Sequence, residues 1–317
     1  MLNIAKIVLF FIMLSACTDS KKMGEAPPLQ KRQIAFTFDD TPRGNGAHFT
    51  GAERTEALIA ALESVDVKAW FFVTTNNIDR EHNNGAARLA RYVEAGHDLA
   101  NHSHSHKWYR KTNIDEYIAD MDTASKALKR FSSIVPYYRF PYLDQGRSIE
   151  KRDVMRQALR DRGMSNGYVT VDTYDWYMAA MYKESLRKNH KIDMDMLRDT
   201  YIGSLMQSIE FYDEISQKIL GRSPKHVILL HENDLNALFI DDFAIALRKE
   251  GWEIISPNEA YTDPIAHHIP NTLYLGQGRI SAIAHEKGWK PSDLVHERED
   301  ENFLRAEFLK NGLLPEE

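Results

Sequence analysis

Three short segments carry side chains suited to chemistry: Thr37-Phe38-Asp39-Asp40, His102-Ser103-His104-Ser105-His106 and Arg139-Phe140-Pro141-Tyr142. Asp40 with His102 and His106 supplies one oxygen and two nitrogen ligands, a set that holds a divalent metal and leaves positions open for water and a substrate oxygen. That is a hydrolase's arrangement. In Asp39-Asp40 the alternation of an extended chain sends neighbouring side chains in different directions, so one carboxylate can meet a metal while the other faces the attacking water. His102 and His106 are four apart and share a face on a helical turn, with His104 pointing away; in an extended segment all three share one face.

Each motif falls where a strand is expected to end. Residues 34–38 are a β-rich run followed by the turn formers of 41–46 and a helical pattern over 53–62. The alternation continues with a strand at 69–73, a helix at 86–94, a strand before His102 and a helix over 114–131. Further strands are expected at 137–139, 167–171, 226–230 and 252–255. Repeated β–α alternation implies parallel strands covered by helices, and this many units favours a barrel over an open sheet. The C-terminal strand ends of such barrels carry the chemistry, as the motif positions require. The helical stretch 194–220 breaks the unit length and is expected to pack on the outside. After Pro264 the chain reads as an appended segment, not a domain; its Gly276-Gln277-Gly278 lacks the rest of a dinucleotide or P-loop pattern.

With 317 residues, 43% apolar and 27% charged, the chain can build one large α/β domain or two smaller ones. Residues 1–16 place Lys6 ahead of an apolar run and end in small residues, the pattern of a signal peptide. The run is far short of the roughly 20 apolar residues that span a bilayer. Leu14-Ser15-Ala16-Cys17 resembles a bacterial lipobox, in which the cysteine is lipidated and the chain cut before it. Cys17 is the sole cysteine, which excludes an intramolecular disulfide. Residues 17–32 then read as a lipidated N-terminus and tether. Thr18 stands where relatives kept at the inner membrane often carry Asp, so the expected location is the outer membrane, facing the periplasm. Loss of residues 1–16 changes the net charge from −6 to −7. Such acidity disfavours nucleic acid, whose binding depends on clustered Lys and Arg.

Over residues 33–262 the chain resembles the polysaccharide deacetylases of carbohydrate esterase family 4. Thr37-Phe38-Asp39-Asp40, His102-Ser103-x-x-His106 and Arg139-x-Pro141-Tyr142 match that family's first three motifs, Asp172-Thr173-Tyr174-Asp175-Trp176 resembles the fourth, and Leu229-Leu230-His231 the fifth. The resemblance implies an α/β fold, a distorted (β/α) barrel, here with a C-terminal extension at 263–317. It implies a divalent metal, usually zinc, held by Asp40, His102 and His106. Asp39 becomes the general base and Arg139 the residue that orients it. The backbone N–H of Tyr142 becomes the oxyanion donor, and Tyr142 also joins the substrate-binding surface. His231 protonates the departing amine, Asp175 tunes it, and Trp176 lines the substrate pocket. Many relatives follow the first motif with Gly-Pro, whereas this chain has Thr41-Pro42, and its fifth motif continues as Glu232-Asn233-Asp234. These departures bear on the sugar-binding groove and leave the glycan unassigned.

The expected function is a metal-dependent N-deacetylase acting on an N-acetylated polysaccharide, chitin-like, peptidoglycan or another, from a lipid-anchored position in the envelope. One alternative keeps the barrel and metal but hydrolyses a non-sugar C–N bond. Another is a glycan-binding lipoprotein with a retired site, which has no need of Asp39, Asp40, His102, His106 and His231 together.

Overall fold

Six consecutive side chains, Ile34 to Asp39, are buried, and a run buried on both faces belongs at the centre of a parallel sheet. It forms the heart of β1 (Arg32–Thr41). The computed structural model describes residues 31–316; the expected leader, Cys17 and the tether before residue 31 lie outside the described residues. After β1 come α1 (Gly51–Ser64), β2 (Trp70–Val73), α2 (Gly85–Glu94), β3 (Asp98–Asn101), α3 (Ile114–Leu128), β4 (Ile134–Tyr138), α4 (Ile149–Asp161) and β5 (Ser165–Asn166). The second half holds α5 (Asp175–Arg187), α6 (Met194–Leu220), β6 (Lys225–His231), α7 (Asp234–Lys249), β7 (Trp252–Ile254), α8 (Pro257–Ala260), α9 (Gly278–Glu286) and α10 (Glu301–Lys310). Helix starts follow local chemistry. At α1, Thr50 Oγ1 accepts from the Glu53 N–H while the Glu53 carboxylate accepts from the Thr50 N–H, a reciprocal cap.

The strands pair in the order β5-β4-β3-β2-β1-β6, every pair parallel, with β7 joining β1 at Arg32–Ile34. Curled and covered by helices, this sheet is a half-barrel of the distorted (β/α) type. Register decides what meets at its C-terminal end. Asp39 stands opposite His231 across the β1–β6 ladder, and Asn101 opposite Tyr138 across β3–β4, which sets His102 and Arg139 at the same level.

The expected strand at 167–171 is instead a strap between two edges. Gly167 N–H donates to Tyr138 on β4 (2.8 Å), whereas Thr170 N–H donates to Val227 (2.9 Å) and Val171 accepts from Leu229 (3.0 Å) on β6. A segment whose bonds are split between two strands cannot run in one ladder. Gly167 is required there, because a Cβ would come within 2.6 Å of the Phe72 ring.

Helix α6 keeps an outer face, with Asp195, Asp199, Glu214 and Lys218 exposed, but is covered on two other sides. One side packs toward β6 and α7, where His226 Nε2 meets Asp213 Oδ1 at 3.2 Å and Tyr201 donates to Asn236 at 2.9 Å. The C-terminal extension covers another side: Tyr212 donates to Glu299 (2.7 Å) and Asn311 to Thr200 (2.9 Å). Leu294, Leu304, Phe308, Leu313 and Leu314 of the extension are buried in the same core as β1 and β6. No helix among the described residues is long and apolar enough to cross a membrane.

Candidate active site

Asp40, His102 and His106 each offer one ligand atom, and the three atoms lie within 4.8 Å of one another. Asp40 Oδ1 is 3.0 Å from His106 Nε2 and 3.6 Å from His102 Nε2. The Nδ1 of His102 lies 2.9 Å from the Arg139 carbonyl. A carbonyl only accepts, so Nδ1 carries the proton and Nε2 presents its lone pair to the cluster. Burial pulls the His102 pKa down to about 4 against the opposing charges of Asp39 and Asp40, so the ring is neutral at neutral pH. Burial opposes ionisation of Asp40, but the hydrogen bond and charge of His106, with His231 and Arg43, hold its carboxyl well below the usual range.

The histidine segment is neither helix nor strand. It is a loop with left-handed backbone at Ser103 (φ 71°) and His106 (φ 55°). Asn101 Oδ1 accepts from the Ser103 N–H (2.8 Å), and Ser103 Oγ accepts from the His106 N–H (2.9 Å). Asp120 on α3 accepts from the backbone of His104 and Ser105 and from the Ser105 hydroxyl. His104 turns away, its Nδ1 2.9 Å from Thr75 Oγ1. Asp39 and Asp40 also depart from strand alternation: Asp40 takes φ 65°, which breaks the pleat and lets both carboxylates approach the same imidazole. Tyr142 (φ 57°) and Leu143 (φ 52°) share this conformation. Left-handed non-glycine residues each carry strain, and of the nine among the described residues four, Asp40, Ser103, His106 and Tyr142, fall in the three motifs, with Leu143 directly after the third.

Asp39 is held from behind. Its Oδ1 accepts from Arg139 Nη1 at 2.6 Å, while Oδ2 lies 3.6 Å from His102 Nε2 and faces the cluster. Arg139 is fully buried and has its donors spoken for: Thr37 Oγ1 (2.8 Å), the Gly167 carbonyl (2.7 Å) and Tyr261 Oη (3.1 Å). Its guanidinium lies 3.7 Å over the Phe72 ring. So tethered, Arg139 fixes the direction of Asp39.

Opposite stands His231, whose Nδ1 is 2.7 Å from Asp175 Oδ1. Asp175 Oδ2 accepts from the His231 N–H (2.8 Å), Asn233 Nδ2 (2.8 Å) and Asn236 Nδ2 (2.9 Å). Burial favours neutral His231, but the charge and hydrogen bond of Asp175, with Asp40 and Asp39 beyond, raise its pKa to about 9. The imidazole is therefore protonated at neutral pH. Trp176 follows Asp175, stays 37% exposed, and lines a groove with Arg43, Lys183 and Asn233. A second groove, lined by Asp40, His106, Arg43, Asn76 and Arg80, shares Arg43 and Gly44 with the first.

Other residues of the site carry little sequence signal. Glu232, fully buried, is paired with Arg88, accepts from Tyr92 Oη (3.1 Å) and takes the Arg43 N–H (2.6 Å). Asp234 accepts from Arg54 (3.1 Å) and from the N–H groups of Ala47 and His48 (both 3.0 Å). The Glu232-Asn233-Asp234 departure thus anchors the β1–α1 loop from beneath. Trp108 stacks on Tyr142 with ring centroids 3.8 Å apart, and Arg110 lies 3.7 Å over Trp108. Tyr142 in turn meets the His106 ring edge-on at 4.6 Å, so an aromatic tower rises beside the cluster. Asp172 stays out of the His231 pair. With the Gln277 amide turned to satisfy both acids, its nitrogen donates to Asp172 Oδ2 (3.1 Å) and Glu299 Oε2 (3.2 Å). Burial, reinforced by Asp175 and Asp39 against the Thr173 N–H, raises the Asp172 pKa to about 7.

Residues 26–166 match the polysaccharide deacetylase family. The peptidoglycan-N-acetylglucosamine deacetylase of Bacillus cereus is 26% identical over 206 residues, which cover 64% of this chain and 68% of that protein. A bifunctional xylanase/deacetylase of Pseudobutyrivibrio xylanivorans is 27% identical over 137 residues, 43% of this chain but 21% of that longer protein. Among solved structures, a carbohydrate esterase family 4 pseudoenzyme from Bacillus anthracis aligns with a TM-score of 0.52 at 18% identity, over 73% of this chain and 65% of its own; it bears on the fold alone. The family match over residues 26–166, these relatives and the convergence of all five motifs on one strand-end site together support the polysaccharide deacetylase family, carbohydrate esterase family 4.

Proposed function

We propose that the chain is a metal-dependent hydrolase that removes N-acetyl groups from a polysaccharide, with peptidoglycan and chitin-like glycans as the leading substrates. The observation that carries this reading is the placement of Asp39 and His231 opposite each other in the β1–β6 register, beside the Asp40, His102 and His106 cluster. The cluster fits a divalent ion: two imidazole nitrogens and one carboxylate oxygen suit zinc, with His102 already oriented by the Arg139 carbonyl. When bound there, the ion would polarise the acetamide carbonyl and acidify water.

The chain's own groups supply the rest. Asp39, aimed by Arg139, takes the proton of the attacking water. As water adds to the carbonyl carbon, charge grows on its oxygen, and the Tyr142 N–H is the proposed donor to it. The carbon–nitrogen bond then breaks. His231, protonated and fixed through Nδ1 by Asp175, gives the Nε2 proton to the leaving amine. Open grooves on either side of Arg43 suit a polymer better than an enclosed small molecule. The deciding experiment is acetate release by the metal-replete protein from N-acetylglucosamine oligomers and peptidoglycan fragments. Release from simple amides alone would favour hydrolysis of a non-sugar C–N bond, and glycan binding without release would favour a retired site.

The proposal includes export and lipid anchoring through Cys17 in the outer membrane, facing the periplasm. Its support is the Leu14-Ser15-Ala16-Cys17 pattern. Mass spectrometry of the mature N-terminal peptide from a bacterial host tests it, an unmodified Cys17 being the contrary result.

A further inference from the structure

A cavity of about 260 Å³ lies between the β4–β5 edge, α4 and residues 266–279 of the C-terminal extension. Its lining includes Arg156, Arg160, Arg279 and His267 and contains no Asp or Glu. Arg279 lies at the base. It is 7% exposed, its Nη1 donates to the carbonyls of Ile265 (3.0 Å), Ala266 (3.4 Å) and His268 (2.7 Å), and its guanidinium lies 4.2 Å over the Tyr168 ring. Among the described residues no carboxylate forms an ion pair with it. Arg156 donates to the Pro270 carbonyl (2.8 Å), and the one carboxylate within ion-pair distance of it among the described residues is Asp153, 3.9 Å away and already bonded to Arg152 at 2.7 Å. Arg160 donates to the neutral Gln157 (2.5 Å). Among the described residues, then, one of these three guanidiniums, Arg156, has a carboxylate within ion-pair distance, and that carboxylate does not line the cavity.

Burying a cation without a counter-charge is costly, and the cost falls when an anion enters. Burial and the neighbouring Arg156 already pull the Arg279 pKa down to about 10, as expected of a cation short of partners. The remaining wall is aromatic and apolar: Tyr137, Phe140, Tyr168, Tyr261, Leu159 and Ile269. Tyr168 Oη has no hydrogen-bond partner among the described residues. Ligand pockets commonly measure about 300–1,000 Å³, so this one is sized for a single ring. Forked guanidiniums favour planar or tetrahedral oxyanions, and tyrosine faces favour the C–H face of a sugar.

We propose that this cavity is a second binding site, separate from the Asp40 cluster, for an acidic monosaccharide unit whose carboxylate or phosphate meets Arg279 at the base and Arg156 and Arg160 nearer the mouth. The site joins the half-barrel to residues beyond the family match, which ends at 166. It also touches the catalytic framework, because Tyr261 lines it and accepts from Arg139.

The test is calorimetric titration of the full metal-loaded chain with glucuronate, glucose 6-phosphate and neutral glucose. Saturable binding of at least one of the two anions is expected, with glucose silent; preference between the anions identifies the source of the charge. Arg160→Gln and Arg156→Gln should each weaken binding about tenfold or more. Among the described residues the exposed Arg160 guanidinium hydrogen-bonds to Gln157 alone, so its variant should melt like the parent and separates a binding role from a structural one. Binding should persist in Asp40→Ala, which removes the metal. The proposal is overturned if neither anion binds, if glucose binds equally well, if both arginine variants bind normally, or if Asp40→Ala abolishes binding and so places the anion at the metal.

Discussion

The two halves of the site are built on opposite plans. Asp40 closes the end of β1 and His102 and His106 sit on the loop after β3, with left-handed backbone at Asp40, Ser103 and His106, and their ligand atoms lie within 4.8 Å of one another. Asp175 and His231 sit at the first residue of a helix and the last of a strand, and both Asp175 oxygens are saturated by donors from β6 and α7. The first half is arranged to receive an exchangeable partner. The second is arranged to keep one proton on one atom. Strain is tolerable where incoming binding energy can offset it, whereas a proton donor needs surroundings that do not move.

The sharpest way to break the comparison is to remove a ligand from the loop half. Asp40→Ala or His106→Ala should abolish stoichiometric metal binding and lower turnover by on the order of 10³-fold or more, since the ion supplies several kcal/mol of charge stabilisation. His104→Ala should retain both; a His104 variant that loses metal by elemental analysis would refute the ligand set. In the rigid half, His231→Ala should keep the metal and lose about 10²–10⁴ in turnover, the usual worth of a positioned acid. Asp39→Asn should behave alike, because an amide cannot take the water's proton. Near-normal rates in either variant would remove that residue from the chemistry.

Asp175→Asn sharpens the contrast through pH. The folded pKa of His231 is raised from 6.5 to about 9, so its contribution to stability is complete below 6.5 and is lost as pH rises through about 9. The alkaline limb of the rate profile should lie near pH 9 in the parent and move toward neutrality in Asp175→Asn. An unmoved limb would mean that another group sets it. The smallest effect is expected from Trp108→Ala, which strips the support from Tyr142. Stacked aromatic pairs contribute about 0.5–1.5 kcal/mol, so KM should rise by up to about tenfold on glycan substrates with kcat and metal content little changed. A fall in kcat alone would place Trp108 in the chemistry instead.

Motif residues at strand ends were legible because strand, turn and helix signals are local. Helix α6 was readable to its ends for the same reason, but its covering was not, since the residues that bury it arrive from 294–314. Spacing suggested that His102 and His106 share a helical face. They do converge, yet through left-handed turns pinned by Asn101 and Asp120, and nothing in an amphipathic helix marks Asp120 as a loop anchor. Likewise the alternation rule failed at Asp39-Asp40, where a positive φ overrides the pleat. Residues 167–171 have a strand's composition, but composition does not show that their hydrogen bonds divide between β4 and β6. Nothing local in the sequence marks Glu232 and Glu299 as buried, because their partners lie far away in sequence.

The closure of β1 by β6 also dictates an order of events during synthesis. Thr37 Oγ1 donates to the Ile228 carbonyl across 191 residues of chain. At about 5–20 residues per second, roughly 10–40 s separate the emergence of the two strands. Throughout that interval β1, already able to recruit β2 through β5, has a bare apolar edge and a buried arginine–aspartate pair without its roof. Non-local pairings of this kind are the slow ones to form, and an uncovered edge is a template for the wrong neighbour. A nascent chain stalled at residue 166, where the family match ends, would hold all three metal ligands, Asp40, His102 and His106, yet lack β6 to cover the β1 edge.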